Sequence, residues 1–246
     1  MIGLGPGDPA YMIPHARRAL LESDVILGYR GYMGLIEPVL LEGKETVATG
    51  MKGEIERCQT AISRALAGQD AAMVSSGDAG IYGMAGLIFE LLGSQGLTDR
   101  IEVEVIPGVP ALAAAAALLG APLMHDFAVI SLSDLLTPWE VIRARVAAAA
   151  GADFVMVIYN PRSKRRTWQL LQALEDVRGQ RGEETPVGHV KDAMRGGQSI
   201  EITTLGRIDA SRVDMRSILI IGNSQTRLLN GKMVTPRGYL EKYRPP

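Results

Sequence analysis

Two short segments fix most of what this chain can fold into. One reads Met1-Ile2-Gly3-Leu4-Gly5-Pro6-Gly7-Asp8-Pro9, the other Met73-Val74-Ser75-Ser76-Gly77-Asp78-Ala79-Gly80-Ile81-Tyr82-Gly83. In each, a short apolar run ends in a glycine turn and an apolar pattern of helical period follows. A third segment, Ile106-Pro107-Gly108-Val109-Pro110-Ala111, places a proline–glycine turn ahead of an alanine-rich stretch. Glycine admits positive φ and lets a ligand approach the main chain. Strands alternating with helices pair in parallel and build a layered α/β sheet. In open sheets of that kind ligands gather outside the carboxyl ends of the strands. Three such corners on one sheet edge predict a small-molecule pocket floored by main chain.

The apolar pattern predicts, in the first half, a short strand ending at Leu4, a helix at 13–21, a strand at 25–28 and a helix at 54–67. A strand at 71–75, a helix at 81–92 and a strand at 101–106 follow. The first strand is short, and the expectation is that part of it lies upstream of Met1. An alanine-rich helix at 111–119 ends at Gly120-Ala121-Pro122, which reads as the domain boundary. The second half carries strands at 127–132, 154–159, 187–190, 199–204 and 217–221, with helices at 138–149 and 167–177. The alternation in Glu201-Ile202-Thr203-Thr204-Leu205 makes part of that sheet antiparallel. The expected fold class is therefore α/β with two α/β domains. Residues 1–115 form an N-terminal domain with a mostly parallel sheet, and 120–246 a C-terminal domain with a mixed sheet, with an interdomain cleft. Residues 230–246 have little periodicity and read as a tail or a strap over a partner.

A chain of 246 residues, 47% of them apolar, can bury a real core. No apolar run approaches the roughly 18 residues of a membrane span, and the start lacks the basic stretch of a secretory signal. The single Cys58 excludes an intramolecular disulfide and fits a reducing, cytoplasmic compartment. Its helical spacing makes it a packing thiol. Three scattered histidines and one cysteine give no metal-ligand cluster. A net charge of −1 argues against a general nucleic-acid binder. Yet residues 1–115 hold 8 Lys/Arg against 14 Asp/Glu, and the rest 18 against 13. The basic half faces either an anion or the acidic half.

The first glycine loop is not a phosphate loop: it lacks the G-x-G-x-x-G pattern, Pro6 removes an N–H, and no lysine follows. Asp78 stands where a helix N-cap would; the alternative is that its loop presents backbone groups and a carboxylate to a cationic or amino-acid ligand. Arg162, Lys164, Arg165 and Arg166 follow a strand end. Arginine forks bind carboxylates bidentately, so the run reads as a substrate clamp. The other reading, a solvated first helical turn, places positive charge against the helix dipole. For proton handling the candidates are His125, Asp126 and Ser131, with Asp134 and Tyr159 beside them. A histidine suits acid–base work, and a structural role at the domain junction is its alternative.

In order and spacing, Gly3-Leu4-Gly5-Pro6-Gly7-Asp8, Ser76-Gly77-Asp78-Ala79-Gly80-Ile81-Tyr82-Gly83 and Val105-Ile106-Pro107-Gly108-Val109 resemble the motifs of the tetrapyrrole (corrin/porphyrin) methylases, over nearly the whole chain. Within that family, H-D-F-A-V-I-S-L-S-D-L-L-T-P-W at 125–139 and V-I-Y-N-P-R-S-K-R-R at 157–166 are similar to the branch acting at C-17 of precorrin-3B or cobalt-factor III. Many other members carry Tyr-Met where this chain has Tyr159-Asn160. The resemblance implies a homodimer of two-domain subunits in cobalamin biosynthesis. S-adenosylmethionine would lie in the cleft between domains and leave as S-adenosylhomocysteine. Pro6, Ser76, Gly77, Asp78, Ile81, Pro110 and Ala111 would line its site from the first domain, Asn160 and Ala193 from the second. The acceptor would be a carboxylate-fringed macrocycle, methylated with ring contraction. The chain departs from the family where Pro110 replaces a common threonine. Other readings are a methylase of the same family acting on another ring carbon or on a diphthine precursor, a nicotinamide-dependent oxidoreductase, and a non-catalytic tetrapyrrole carrier.

Overall fold

The computed structural model describes residues 1–243. The chain divides into two compact units, one from Met1 to Ala111 and one from Leu112 onward. The division falls ahead of the alanine-rich helix rather than behind it, so that helix packs with the second unit.

In chain order the first unit holds β1 (Ile2–Gly3), α1 (Pro14–Glu22), β2 (Val25–Tyr29), α2 (Arg30–Met33), β3 (Glu45–Thr49), α3 (Glu54–Leu66), β4 (Ala71–Ser75) and α4 (Ala85–Ser94). The strands pair in parallel in the order β1-β4-β2-β3. Both faces are covered, which is why β2 reads as an unbroken apolar run. Ile26, Ala72 and Val74 meet Ala16 and Leu20 of α1, whereas Val25, Leu27 and Met73 meet Cys58 and Ile62 of α3 and Ile88 and Leu92 of α4. Burial pushes the Cys58 thiol up to about 11, so it packs and does not attack.

Three expectations change here. The helix expected at 81–92 starts only at Ala85, because residues 79–83 coil tightly. A Cβ on Gly83 would lie 2.3 Å from the Ala79 oxygen, and Ala85 N donates to that same oxygen at 3.0 Å. Residues 101–106 form no strand; only Ile106 bridges Ile2. Gly3 N donates to Ile106 O at 2.9 Å and the Met1 amine to Glu104 O at 2.7 Å. An alternating pattern needs a neighbour to pair with, and β1 supplies two residues. The pattern gave no sign of β3, an edge strand whose residues are exposed or half-buried.

The second unit holds α5 (Ala111–Leu119), β5 (Gly120–Ala121), β6 (Phe127–Ser131), α6 (Trp139–Gly151), β7 (Val155–Tyr159), α7 (Gln169–Arg178), β8 (Pro186–Lys191), β9 (Ser199–Thr204), β10 (Ser217–Ile221), β11 (Arg227–Leu229), β12 (Lys232–Val234) and α8 (Tyr239–Lys242). Its main sheet runs β6-β7-β10-β8-β9, with β6 and β7 parallel and the other pairs antiparallel. The sheet is mixed, as the alternation at 201–205 required. Ile142 and Val146 of α6 and Leu170, Leu174 and Val177 of α7 pack on one face against Ile130, Met156, Ile158 and Leu219. On the other face Leu119 of α5 sits where a Cβ on Gly188 would be, 2.4 Å from its nearest methyl.

The expected tail or strap at 230–246 is corrected in its first part. β11 and β12 form a hairpin, and β12 pairs in parallel with β5. Asn230 and Gly231, with φ of 48° and 72°, make the tight turn that such a dipeptide favours. Residues 244–246 of that stretch lie outside the described residues. Among the described residues no helix is long and apolar enough to cross a membrane.

Candidate functional site

The three glycine corners interlock at the carboxyl edge of the parallel sheet. Gly77 N donates to Gly5 O at 2.7 Å and Gly5 N to Gly77 O at 3.0 Å. Their φ angles, 69° and 75°, lie where a side chain is strained. A Cβ on Gly108 would stand 2.1 Å from Gly77 O and 2.7 Å from the Gly3 carbonyl carbon, and one on Gly3 would stand 2.6 Å from Gly108 N. These are main-chain atoms with nowhere to go, so only glycine fits at either place.

Asp78 ties the corners together. Its Oδ1 accepts from Gly80 N (2.8 Å) and Ile81 N (3.1 Å), and its Oδ2 from Gly108 N across the gap (3.0 Å). The N-cap reading of Asp78 is therefore corrected: α4 begins later, and the carboxylate braces a loop. Pro6 is buried beside Gly5. Pro110 and Ala111 are half-buried against Gly77, whose Cβ would lie 3.6 Å from Pro110 Cα. Ser76 is half-buried, while Ile81 and Tyr82 are exposed, and Tyr82 holds a left-handed φ of 52°. Pro6, Ser76, Gly77, Asp78, Ile81, Pro110 and Ala111 thus belong to one set of interlocked turns. A cavity of about 530 Å³ in this unit opens at the other end of the strands, lined by Asp70, Ala71, Arg100 and Glu104, away from the glycines.

In the second unit β6, β7 and β8 run the same way, since β10 opposes both β7 and β8. Ser131, Asn160 and Ala193 follow from their carboxyl ends and so share one edge. Asn160, Asp192 and Met194, none of them glycine, have φ of 49°, 49° and 55°. Left-handed residues gathered on one edge mark a place where geometry is held against local preference. Asn160 Nδ2 donates to Ser131 Oγ at 2.9 Å, and Ser133 N donates to the same oxygen at 3.2 Å. With both acceptor sites used, the Ser131 hydroxyl hydrogen is left to donate.

The basic run is not the first turn of a helix, because α7 begins at Gln169. Arg162 Nη1 donates to Ala210 O (2.8 Å), and Arg166 Nη2 to Asn160 O (2.6 Å). Burial depresses the Arg166 pKa, and the charge of Asp134 partly restores it. Lys164 and Arg165 are exposed. The four cations thus divide into two turned to the protein and two turned to solvent.

The proton-handling trio is not brought together. His125 is exposed and its Nδ1 accepts from Asp126 N at 2.8 Å, with the Asp126 carboxylate 3.9 Å away. Both precede β6, and Ser131 ends it; six residues of extended chain span about 20 Å. Tyr159 accepts from Leu112 N through its hydroxyl at 2.9 Å, and Asp134 accepts from Gln169 at 2.7 Å. The sequence reading missed that Gly3 and Gly108 interlock and that Arg166 turns inward. The first was signalled by prolines bracketing Gly108, the second by a serine three residues before the arginine.

A parallel sheet edged by interlocked glycine corners, followed by a mixed-sheet unit, defines an α/β protein with a main-chain-floored edge suited to a small molecule. The sequence profile of the Tetrapyrrole (Corrin/Porphyrin) Methylases matches residues 1–209, and the chain belongs to that family. It is 51% identical over 239 residues to the probable cobalt-factor III C(17)-methyltransferase of Salmonella typhimurium, covering 97% of this chain and 98% of that one. It is 46% identical to the cobalt-factor III methyltransferase of Priestia megaterium, of whose length it spans 45%. The crystal structure of the methyltransferase CobJ superposes with a TM-score of 0.91 at 36% identity, covering 96% of this chain and 98% of that one. A uroporphyrin-III C-methyl transferase from Thermus thermophilus, complexed with S-adenosyl homocysteine, matches with a TM-score of 0.65 at 26% identity over 90% of this chain and 95% of its own.

Proposed function

We propose that this methyltransferase uses S-adenosylmethionine to methylate C-17 of a precorrin-3B-type macrocycle, as cobalt-factor III or without the metal, with ring contraction in cobalamin biosynthesis. It would act as a homodimer in the cytoplasm. The observation that carries the reading is the glycine edge tied by Asp78, supported by 51% identity to the Salmonella protein over almost its full length.

When bound, S-adenosylmethionine supplies a methyl group already activated on a sulfonium. The edge suits it. A free carboxylate would stabilise the cation in the ground state and raise the barrier, whereas both oxygens of Asp78 are engaged by three N–H groups. What remains for a ligand is main chain, with Ser76, Ile81, Pro110 and Ala111 around it. Asn160 and Ala193 are proposed as further cofactor contacts. The chain's main catalytic task is alignment, which can supply roughly 7–11 kcal/mol. Ser131 is proposed to donate its hydroxyl hydrogen to the macrocycle during ring contraction. His125 and Asp126, beyond the far end of β6, have no part in that contact.

The direct test is incubation with labelled S-adenosylmethionine and either cobalt-factor III or precorrin-3B. We expect one methyl gained, located at C-17 by NMR. Absence of label from both acceptors refutes the assignment. Lys164 and Arg165 are proposed to meet the macrocycle's carboxylates. Exposed pairs contribute about 0.2–1 kcal/mol each, so Lys164→Ala with Arg165→Ala should raise the macrocycle KM roughly tenfold at low salt and less at high salt. The KM for S-adenosylmethionine should not move, and an equal rise in both would remove the clamp.

Asp78→Ala frees three N–H groups from a charged acceptor, each such bond contributing about 1.5–3 kcal/mol. We expect S-adenosylhomocysteine to bind ten- to a hundredfold more weakly, roughly, by calorimetry, with Asp78→Asn intermediate. An unchanged Kd would take this loop out of the cofactor site.

A further inference from the structure

We propose that Arg166 is a positioning residue, whose guanidinium holds the main chain of Asn160 in a left-handed conformation and so presets a cofactor contact. The inference rests on the reading of Asn160 as a residue that meets the cofactor.

The segment Asn160-Pro161-Arg162-Ser163-Lys164-Arg165-Arg166 bends back on itself. Ser163 N donates to Arg166 O at 2.9 Å and Arg166 N to Ser163 Oγ at 3.0 Å. The bend puts Lys164 and Arg165 at an exposed tip and returns Arg166 toward the sheet. There its Nη2 donates to Asn160 O (2.6 Å) and lies 3.5 Å from Met215 Sδ, just ahead of β10. Its Nε is buried without a hydrogen-bond partner among the described residues, so this guanidinium is set into the protein and not held out as a fork for a carboxylate.

The residue it reaches is under conflicting demands. A residue before proline is pushed to extended conformations, yet Asn160 precedes Pro161 and has φ of 49°. Asparagine tolerates that region better than most residues, but something must keep it there. Two tethers do: its own Nδ2 on Ser131 Oγ, and Arg166 on its carbonyl. Removing the second lets the peptide after β7 relax toward extended geometry, swinging the Asn160 amide off its station on the ligand edge.

The experiment is calorimetric titration of the full chain with S-adenosylhomocysteine. Arg166→Met should weaken binding about tenfold, and Arg166→Lys, which can still donate to the carbonyl, should recover most of the loss. In an Asn160→Gly background, where positive φ needs no tether, Arg166→Met should change the Kd by less than about twofold. The macrocycle KM at saturating cofactor should stay within about twofold in Arg166→Met. The proposal is overturned if Arg166→Met raises the macrocycle KM and leaves the Kd alone, which would make Arg166 a substrate clamp. It is equally overturned if the loss in Kd is the same with and without Asn160→Gly, since Arg166 would then act through general stability. Failure of the unaltered chain to bind S-adenosylhomocysteine would overturn the cofactor reading itself, before any variant is compared. Should Arg166→Met not fold, Arg166→Lys in the two backgrounds gives the same comparison.

Discussion

Gly108→Ala should abolish useful cofactor binding, weakening S-adenosylhomocysteine by about a hundredfold or more, while the first unit loses roughly 1–3 kcal/mol of stability. The added methyl meets Gly77 O at 2.1 Å and the Gly3 carbonyl at 2.7 Å. Both are main-chain groups inside a parallel sheet edge, so neither side yields by a rotamer change. Relief requires the 107–110 turn to withdraw by about 1 Å, and displacement of that size at an aligned site costs about a hundredfold. The withdrawal also breaks the bond from Gly108 N to Asp78 Oδ2, 3.0 Å in the native arrangement. Two neighbours calibrate the result. Gly77→Ala has room, with its nearest atom at 3.6 Å, but a φ of 69°, and should cost about 1–2 kcal/mol from the left-handed backbone alone. Gly86→Ala, in α4 with nothing within 4 Å, should gain about 0.5–1 kcal/mol. Calorimetry and thermal melts of the three variants separate crowding from conformational strain. If Gly108→Ala binds like the unaltered chain, the interlocked corners are not the cofactor floor.

The corners could be read from the sequence because glycine's requirement is local: a turn with positive φ after a short strand writes itself as Gly5 or Gly77. That Gly3, Gly77 and Gly108 touch could not, since the contact exists only once the ends of β1 and β4 and the turn after Ile106 lie side by side. The family motifs supplied that order in advance, and the structure supplied its steric reason. The fold class was legible for the same reason, in alternating elements and in the polar–apolar alternation near residue 201. The misreadings share a cause. Residues 101–106 alternate like a strand, but a strand is a property of pairs, and β1 pairs over two residues. His125 and Ser131 are close in number and far apart in space because extended chain carries six residues about 20 Å. Arg162 to Arg166 read as one charge cluster; the bend closed by Ser163 turns its two outer members, Arg162 and Arg166, to the protein and leaves Lys164 and Arg165 in solvent. Asn230-Gly231 was a hairpin signal in plain view, lost among exposed residues with no apolar alternation.

The same distinction between charge and placement applies to Arg181, which nothing in its Gln180-Arg181-Gly182 surroundings marks as a core residue. It is buried in the second unit, at the end of the sheet opposite Asn160. Nη1 donates to Gly222 O (2.5 Å), and Nη2 to Phe154 O (2.5 Å) and Ala149 O (3.2 Å), with the Asp153 carboxylate 3.9 Å from Nε. One guanidinium therefore reaches a carbonyl at the end of α6, one before β7 and one after β10; Ala149 O also accepts from Phe154 N at 3.0 Å, so the Phe154 and Gly222 carbonyls are the two that depend on Arg181. Burial lowers its pKa, but the group stays charged, and it completes the helix dipole at the end of α6. Arg181→Met would fill the volume and orphan the Phe154 and Gly222 carbonyls, each costing about 1–3 kcal/mol unless water enters. We expect a loss of about 3–4 kcal/mol in urea unfolding, with Arg181→Lys recovering less than half because one ammonium cannot span three acceptors. The folded fraction should bind S-adenosylhomocysteine with unchanged Kd, because the ligand edge lies at the other end of the strands. A loss under about 1 kcal/mol would mean that water already serves these carbonyls, and a weakened Kd at full folding would mean that the two ends of the sheet are coupled.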